Sequence, residues 1–438
     1  MTQFSAIILA AGKGTRMKSA LPKPLHCIAH KPMLGYVIDA YRQAGAAEIV
    51  VVISPDDKLT PTLFPDMTFA IQHEQKGTGH AAMIGLEALK KPSDKIVIAL
   101  GDQPFVSDAT IKNAVAQNDV ITVVAMRPSD PAKYGRLITD STGALLRIVE
   151  FKDADEKERK INLCNAYPIC FDSKHAKQLF AKLQPNNAAH EFYLTDTIEI
   201  ANEEGHRCGY FEAPVAEALA ANNREELAYL ENLVQTRLRK QAMENGATLQ
   251  EPQSVYFAYD TKIGRDVIIE PHVFFGPGVT VGDNVQIKAF CHIEGTTIAA
   301  HCEIGPFARL RQQVDIQEKA KIGNFVEIKK STIGKGTKAS HLTYLGDAQI
   351  GDKTNIGAGT ITCNYDGYIK SKTVIGDNVF IGSNSLLVAP VTVNSGAMTA
   401  AGSVITKDVT ADALAIARSK QEEKSSWAKN FRSKKEKK

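Results

Sequence analysis

Between Ile263 and Ile405 an aliphatic or similar residue returns at every sixth position. One run is Ile263, Ile269, Phe275, Val281, Ile287 and Ile293, and a second is Ile304, Leu310, Ile316, Ile322 and Ile328. A third, Leu345, Ile350 and Ile356, is slipped by one residue at its start. A fourth is Ile375, Ile381, Leu387, Val393, Thr399 and Ile405. A helix repeats apolar positions at three and four and a half-buried strand at two, so a period of six fits neither. It predicts a parallel β-helix in which each hexad is one short wall and three hexads make one coil. The inward aliphatic residue packs against the coils above and below. Gly often follows it, as at Gly264, Gly282, Gly334, Gly351 and Gly376, and is expected to permit the tight corners.

The preceding region has another rhythm. Short apolar runs at 4–12 (FSAIILAAG), 49–53 (IVVVI), 96–100 (IVIAL) and 121–126 (ITVVAM) alternate with helical patterns. That alternation predicts a mostly parallel, Rossmann-like α/β sheet. From Asn222 to Gly246 one helical face carries Leu227, Leu230, Val234 and Leu238. It is too short for an independent coiled coil and is expected to pack on a neighbouring surface, with Gly246 as its stop. The expected domains are 1–223, a connecting helix 224–246, and a β-helix 247–438.

Composition narrows this little. The 438 residues, 44% hydrophobic and 23% charged, suit two or three globular domains. No apolar run reaches the roughly 20 residues of a membrane span, so no stable membrane insertion is expected. Met1 to Leu9 lacks a basic flank and cleavage segment, which reads as no signal peptide. Seven scattered cysteines without metal-ligand spacing fit a reducing, cytoplasmic setting. The net charge of +3 conceals an uneven distribution: residues 419–438 alone carry +5, from seven Lys and one Arg against three Glu. The basic character therefore belongs to a tail, expected to be solvated and disordered, and not to a nucleic-acid-binding face.

The chemistry-bearing stretches follow the apolar runs. After the first strand comes GKGTRMKSALPKPL (12–25). Gly12 and Gly14 let backbone N–H groups approach an anion, while Arg16 and Lys23 add charge suited to a triphosphate. The run IVIAL ends in GDQP, which puts Asp102 at a strand's carboxyl end, the ligand-binding edge of open α/β sheets. Asp102 there is either a helix cap or one of the few oxygens Mg²⁺ takes from protein. Gln72, Gly77 and Thr78 in QHEQKGTGHA suit contact with a flat base or a plain helix start. YGR (134–136), IVEFKDA (148–154), INLCNAY (161–167) and EFYLTD (191–196) are polar clusters, each readable alone as a turn.

In combination these stretches are more specific. LAAGKGTRM with LPK resembles the signature of the sugar-phosphate nucleotidyltransferases, and the hexads resemble hexapeptide-repeat acyltransferases, which are left-handed. The whole of residues 4–420 resembles the family of bifunctional bacterial N-acetylglucosamine-1-phosphate uridylyltransferases/glucosamine-1-phosphate N-acetyltransferases. The resemblance implies a Rossmann-like nucleotidyltransferase domain followed by a left-handed parallel β-helix. It implies acetyl transfer from acetyl-CoA to glucosamine-1-phosphate, then uridylyl transfer from UTP to give UDP-N-acetylglucosamine and pyrophosphate. The alternative is a single-activity nucleotidyltransferase whose β-helix is an assembly module.

For the first reaction the resemblance assigns Leu9, Ala10, Ala11, Gly12 and Lys23 to the nucleotide and Gln72, Gly77 and Thr78 to uracil. Gly135, Glu150 and Asn165 go to the sugar, and Asp102 with Asn222 to Mg²⁺. The attacking sugar phosphate is already an anion and needs no base, so alignment and charge neutralisation by Mg²⁺, Arg16 and Lys23 suffice. The chain departs from the family pattern at Leu100, where an aromatic is expected, at Asn165-Ala166-Tyr167 and at Ala221.

For the second reaction, 338–367 (KASHLTYLGDAQIGDKTNIGAGTITCNYDG) resembles the acetyltransferase signature. An isolated His341 would read as a surface histidine. Within this signature it is the general base for the sugar amine, with Glu327 as its expected orienting group. Arg311, Lys329, Tyr344 and Asn355 match the sugar-phosphate positions; Ala358, Asn364, Tyr365, Ser383, Ala401 and Arg418 match those of acetyl-CoA. The excursion 363–373 is expected to cover a neighbouring subunit's site in a homotrimer.

Overall fold

The computed structural model describes residues 2–91, 93–131 and 133–436. The chain divides into two compact units, Met1–Val234 and Gln235–Lys438.

The first unit is built on a nine-stranded sheet. Its main path runs Cys208–Glu212, Ile121–Met126, Cys164–Asp172, Lys95–Leu100, Phe4–Leu9, Glu48–Ile53 and Thr68–Ile71. All neighbours pair in parallel except Cys164–Asp172, which is antiparallel to both strands beside it. A hairpin of Arg136–Thr139 and Leu145–Val149 hangs from it. Because both faces are covered, strand Phe4–Leu9 is apolar except for the buried Ser5, whose hydroxyl shares a hydrogen bond with that of Ser93 (2.5 Å). Ala6 and Ile8 enter one core with the helix Met33–Ala44, while Ile7 enters the other with the helix Thr78–Ala88. Residues that follow Leu9, Ile71 and Leu100 therefore emerge at one edge of the sheet.

The helix Arg224–Glu244 carries the division between the units. In the first unit Leu230 and Val234 are buried and Glu231 accepts a hydrogen bond from the Ala29 N–H (2.7 Å). In the second, the Gln235 side chain exchanges two hydrogen bonds with the Phe257 backbone (2.7 and 2.9 Å), and Arg239 donates to the Val255 carbonyl (2.8 Å). Gly246, at φ 98°, turns the chain out of the helix.

The second unit is a left-handed parallel β-helix with walls of ten, eight and eight strands. Between the two ends each short strand pairs with the third strand after it, one coil on. Down one wall the register runs Ile269, Ile287, Ile304, Ile322, Ala339, Ile356, Ile381 and Thr399, all buried. The slips in the hexads are coils of 17 residues among coils of 18: Ile287 lies 18 positions after Ile269, and Ile304 lies 17 after Ile287. Ile381 lies 25 after Ile356, because the excursion leaves the coil between Cys363 and Thr373.

Most of the glycines after the inward residues have a different role from the one expected, although Gly305, after Ile304, is left-handed at φ 90° as a corner requires. Their φ values are not left-handed at Gly264, Gly282, Gly334, Gly351 or Gly376. Many corners are turned by side-chain-bearing residues at φ near 60°, among them Asp266, Asn284, Phe290, Phe307, Lys319 and Phe325, and others by glycines that do not follow an inward residue, such as Gly278, Gly336 and Gly359. The glycines that are not left-handed are places where the next coil leaves no room. A Cβ on Gly282 would lie 2.9 Å from the Ala300 backbone nitrogen, and one on Gly382 2.5 Å from that of Ala401.

Within the basic tail, Trp427–Glu436 forms a helix with every side chain exposed. Its sequence lacks Gly and Pro, and the i, i+4 pair Trp427 and Phe431 stacks at 5.2 Å with Lys435 over the Phe431 ring. No helix among the described residues is long and apolar enough to cross a membrane.

Candidate functional sites

At the carboxyl edge of the first unit's sheet, three adjoining hollows open. The largest, of about 440 Å³, is lined by Leu9, Ala11, Gly12, Gln72, Gly77, Thr78 and Leu100, together with Lys13, Gln75 and Glu191. Gly77 sits at φ 108°, and an added Cβ would meet the Phe192 carbonyl at 2.6 Å, so only glycine fits this helix start. The buried Gln72 amide donates to the Gly77 carbonyl (3.3 Å). Gln75, which motif reading passed over, donates to the Ala11 carbonyl (2.5 Å) and ties the two loops together.

A second hollow of about 210 Å³ is lined by Ala10, Gly12, Gly14, Thr15, Arg16, Lys23, Pro24, Asp102 and Asn222. Here the Lys23 ammonium pairs with Asp102 and donates to Asn222 Oδ1 (2.6 Å), which also accepts from Arg16 (3.1 Å). The other end of the Asn222 amide donates to Glu226 (3.0 Å), and this aims its oxygen at the lysine. One carboxylate and one amide oxygen thus converge on a single cationic point. This donor set suits a hard cation that fills its remaining positions with phosphate oxygens and water. It is not a closed protein cage: no group of three His, Cys, Asp or Glu that could hold a metal occurs among the described residues.

The third hollow, about 340 Å³, shares Thr78, Leu100 and Glu191 with the first and adds Lys133, Glu150, Phe151, Lys152, Tyr167 and Tyr193. Burial pushes the Glu150 carboxyl up, against the pull of the Thr195 hydroxyl that donates to it (3.2 Å). A Cβ on Gly135 would stand 3.4 Å from the Glu150 carboxylate oxygens, so the glycine keeps this side of the carboxyl open. Asn165 lies deeper: it is buried, its N–H donates to the Gly135 carbonyl (2.9 Å), and its side-chain oxygen accepts from the Tyr167 N–H (3.4 Å). Asp196, close by, is raised to about 6 by burial and by the Glu150, Glu199 and Asp153 carboxylates.

In the β-helix, the backbone ladder assembles one row along the coil axis. Leu342 N–H donates to Asn324 O (3.0 Å), Gly359 N–H to His341 O (3.4 Å), Asn384 N–H to Ala358 O (2.7 Å) and Gly402 N–H to Ser383 O (2.8 Å). Asn324, His341, Ala358, Ser383 and Ala401 therefore occupy equivalent positions on successive coils, about 4.8 Å apart. Arg418 follows, its side chain passing over Gly402. His341 stands at one end of a lane of small residues, and a guanidinium at the other.

Three of the four sugar-phosphate positions, Arg311, Lys329 and Tyr344, lie on the adjoining wall, whereas Asn355 lies on the wall of His341 itself. Arg311, Lys329 and Gly346 are in register, as are Glu327 and Tyr344. The Lys370 ammonium, on the excursion, is the chief cause that holds the Lys329 pKa below the ordinary lysine value; Arg311 and Lys330 add to it. Such crowding of cations suits a phosphate dianion. Asn355 sits in register between Lys338 and Phe380. Asn364 is buried, its amide donating to Asp347 (2.5 Å), whereas Tyr365 is exposed. Glu327 does not orient His341 within the chain: it accepts from Arg311 (2.7 Å), and the partner of His341 Nδ1 is Asn324 Oδ1 (2.6 Å).

A nucleotide-type cleft on an α/β sheet, followed by a hexad β-helix with a histidine at the head of a small-residue lane, defines a two-site transferase. Residues 6–228 match the family described as MobA-like NTP transferase domain. Residues 260–295 and 372–407 match the bacterial transferase hexapeptide family (six repeats). Nearly the whole chain is similar to proteins named Bifunctional protein GlmU. That of Zymomonas mobilis is 50% identical over 99% of this chain and 99% of the relative. That of Paramagnetospirillum magneticum is 46% identical over 98% and 97%, and that of Sphingopyxis alaskensis 47% over 98% and 96%. The chain belongs to the bifunctional GlmU family and is an enzyme with both uridylyltransferase and acetyltransferase activities.

Proposed function

We propose that the β-helix acetylates glucosamine-1-phosphate with acetyl-CoA and that the α/β unit then joins the N-acetylated product to UTP, with release of pyrophosphate. In this reading residues 1–223 are the uridylyltransferase domain, 224–246 the connecting helix and 247–438 the acetyltransferase domain. The observation that carries it is the row from His341 to Ala401, which a purely structural β-helix has no reason to contain.

In uridylyl transfer the hollow of Leu9, Gln72, Gly77 and Thr78 takes the uracil nucleotide, and that of Glu150 and Gly135 the sugar, with Asn165 supporting it from beneath. Asp102 and Asn222 hold Mg²⁺, which neutralises phosphate charge when bound. Lys23 and Arg16 bring further positive charge to the phosphates, and the loop Ala10–Gly12 directs its backbone at them. The sugar-phosphate oxygen forms a bond to the α-phosphorus as the α–β phosphoanhydride bond breaks.

In acetyl transfer Arg311 and Lys329 bind the sugar phosphate, Tyr344 and Asn355 the sugar. Ala358, Ser383 and Ala401 leave a lane for the pantetheine arm of acetyl-CoA, and Arg418 pairs with a phosphate of CoA. The sugar nitrogen bonds to the acetyl carbon, the C–S bond breaks, and the amine proton passes to His341. The exposed excursion, with Tyr368 at 94% exposure, suits closure over a neighbouring subunit in a homotrimer together with Asn364 and Tyr365. Product formation from glucosamine-1-phosphate, acetyl-CoA, UTP and Mg²⁺, with each omitted in turn, tests the reading. UDP-N-acetylglucosamine is expected only with all four. Nucleotide-sugar formed solely from pre-acetylated substrate, with no free thiol released, would overturn it.

A further inference from the structure

We propose that Asn324 is the positioning residue of the acetyl-transfer site: its side-chain oxygen holds the Nδ1 proton of His341 and leaves Nε2 as the base toward the sugar amine. The inference rests on the reading of His341 as that base.

Two independent features place the pair. Strand Lys321–Asn324 is in register with Lys338–His341, with Asn324 opposite His341. Both strands then turn at the same point, through Phe325 at φ 56° and Leu342 at φ 50°. The Phe325 ring stacks on Phe307 at 5.1 Å, which fixes the corner that follows Asn324. On this frame the two side chains meet at 2.6 Å. An amide oxygen only accepts, so the imidazole must present Nδ1–H to it, and the lone pair of the neutral ring lies on Nε2.

The choice of an amide has chemical content. A carboxylate at this position would also select the tautomer, but it would favour the imidazolium and so reduce the fraction of free base near neutral pH. The charged groups on the packed elements are engaged elsewhere or of the opposite sign. Lys321 pairs with Glu303 (3.0 Å), Lys338 lies on the histidine's own strand, and Glu327 on the next wall is taken by Arg311. Among the described residues His341 makes no ion pair. When the amine attacks the acetyl carbon and the C–S bond breaks, the proton arriving on Nε2 makes an imidazolium, and the Asn324 oxygen stays bonded to Nδ1–H throughout.

The test uses the full chain, with Asn324→Ala, Asn324→Asp and His341→Ala assayed for acetyl transfer across about pH 5.5 to 9.5. Thermal melting of each variant accompanies the assay. Asn324→Ala is expected to lower kcat about tenfold or more, with KM for glucosamine-1-phosphate near wild type. Asn324→Asp is expected to keep most of the rate at high pH while its acidic limb moves up by about one pH unit. Wild-type kcat in Asn324→Ala overturns the proposal, as does equal loss in both variants with an unmoved acidic limb, which would mark a merely structural role. Acetyl transfer surviving in His341→Ala would instead show that the base itself is misassigned.

Discussion

Gly334→Ala isolates what the coil-spacing glycines contribute. The residue is remote from the assigned ligand positions, and its backbone is not left-handed, so the methyl group alone is the perturbation. The new Cβ would lie 2.6 Å from the Asp352 nitrogen and closer still to the carbonyl group of Gly351, all backbone atoms that cannot rotate away. Real Cβ atoms essentially never approach within 3.0 Å, so the two coils must part by several tenths of an ångström. That strains the rung from Gly334 N–H to Ile350 O (2.9 Å). Overpacking costs about 1–3 kcal/mol, and one weakened ladder bond adds about 1 kcal/mol, for about 3 kcal/mol together. In a unit of this size each kcal/mol lowers the transition by about 2–4 °C, so the β-helix should melt about 6–12 °C earlier. Thermal unfolding by circular dichroism reads this directly. The paired control is Lys319→Gly, at an exposed corner with φ 60°, where removing the side chain relieves a left-handed conformation and should not destabilise. If Gly334→Ala melted within about 2 °C of wild type, the reasoning would be refuted, and the glycine would have to be explained by something other than coil spacing.

Three further outcomes follow from the sites. His341→Ala should lower acetyl transfer at least about a hundredfold and leave uridylyl transfer intact, and Asp102→Ala should do the reverse; separate assays of the two half-reactions check both. Lys329→Ala and Lys370→Ala should each raise KM for glucosamine-1-phosphate about tenfold, the loss of one charge-assisted phosphate contact. Asp196 binds its proton more tightly folded than unfolded, with a value of about 6 against 3.8. The native state then holds more protons between those values, so stability falls as pH rises through that window. Asp196→Asn should flatten this slope in urea unfolding of the chain; an unchanged slope would show that the raised carboxyl lies elsewhere.

The hexads were legible because no other regular element repeats at six, and the inward positions Ile304, Leu310, Ile316 and Ile322 are each fully buried as that period requires. The strands ending at Leu9 and Leu100 were legible for a similar reason, since burial on both faces leaves nearly all residues apolar, Ser5 and Lys95 being the exceptions. Strand Cys164–Asp172 was not, because Asn165 and Pro168 interrupt its apolar character and nothing local reveals an antiparallel insertion. Sequence alone cannot separate a glycine that bends the chain, such as Gly305, from one that makes room, such as Gly282, and so the corner role was assigned to both kinds. The pairing of Asn324 with His341 was hidden by the alternation of 17- and 18-residue coils. Only a known coil length identifies the residue one turn earlier. Lys370 lies on the excursion, outside the periodic pattern.

The row from His341 to Ala401 makes the β-helix a graduated rule. Its divisions are coils, so a co-substrate laid along it is measured in steps of about 4.8 Å. The long coil between Ala358 and Ser383 shows that extra residues can leave at a corner without moving the graduations beyond it. Insertion of one whole coil after Ser383 would displace Arg418 from His341 by one division. Acceptance of a thioester would then depend on the length of its carrier arm and not on its acyl group. Under the proposed assignment, reach and reactivity are thus set by different parts of the same ladder.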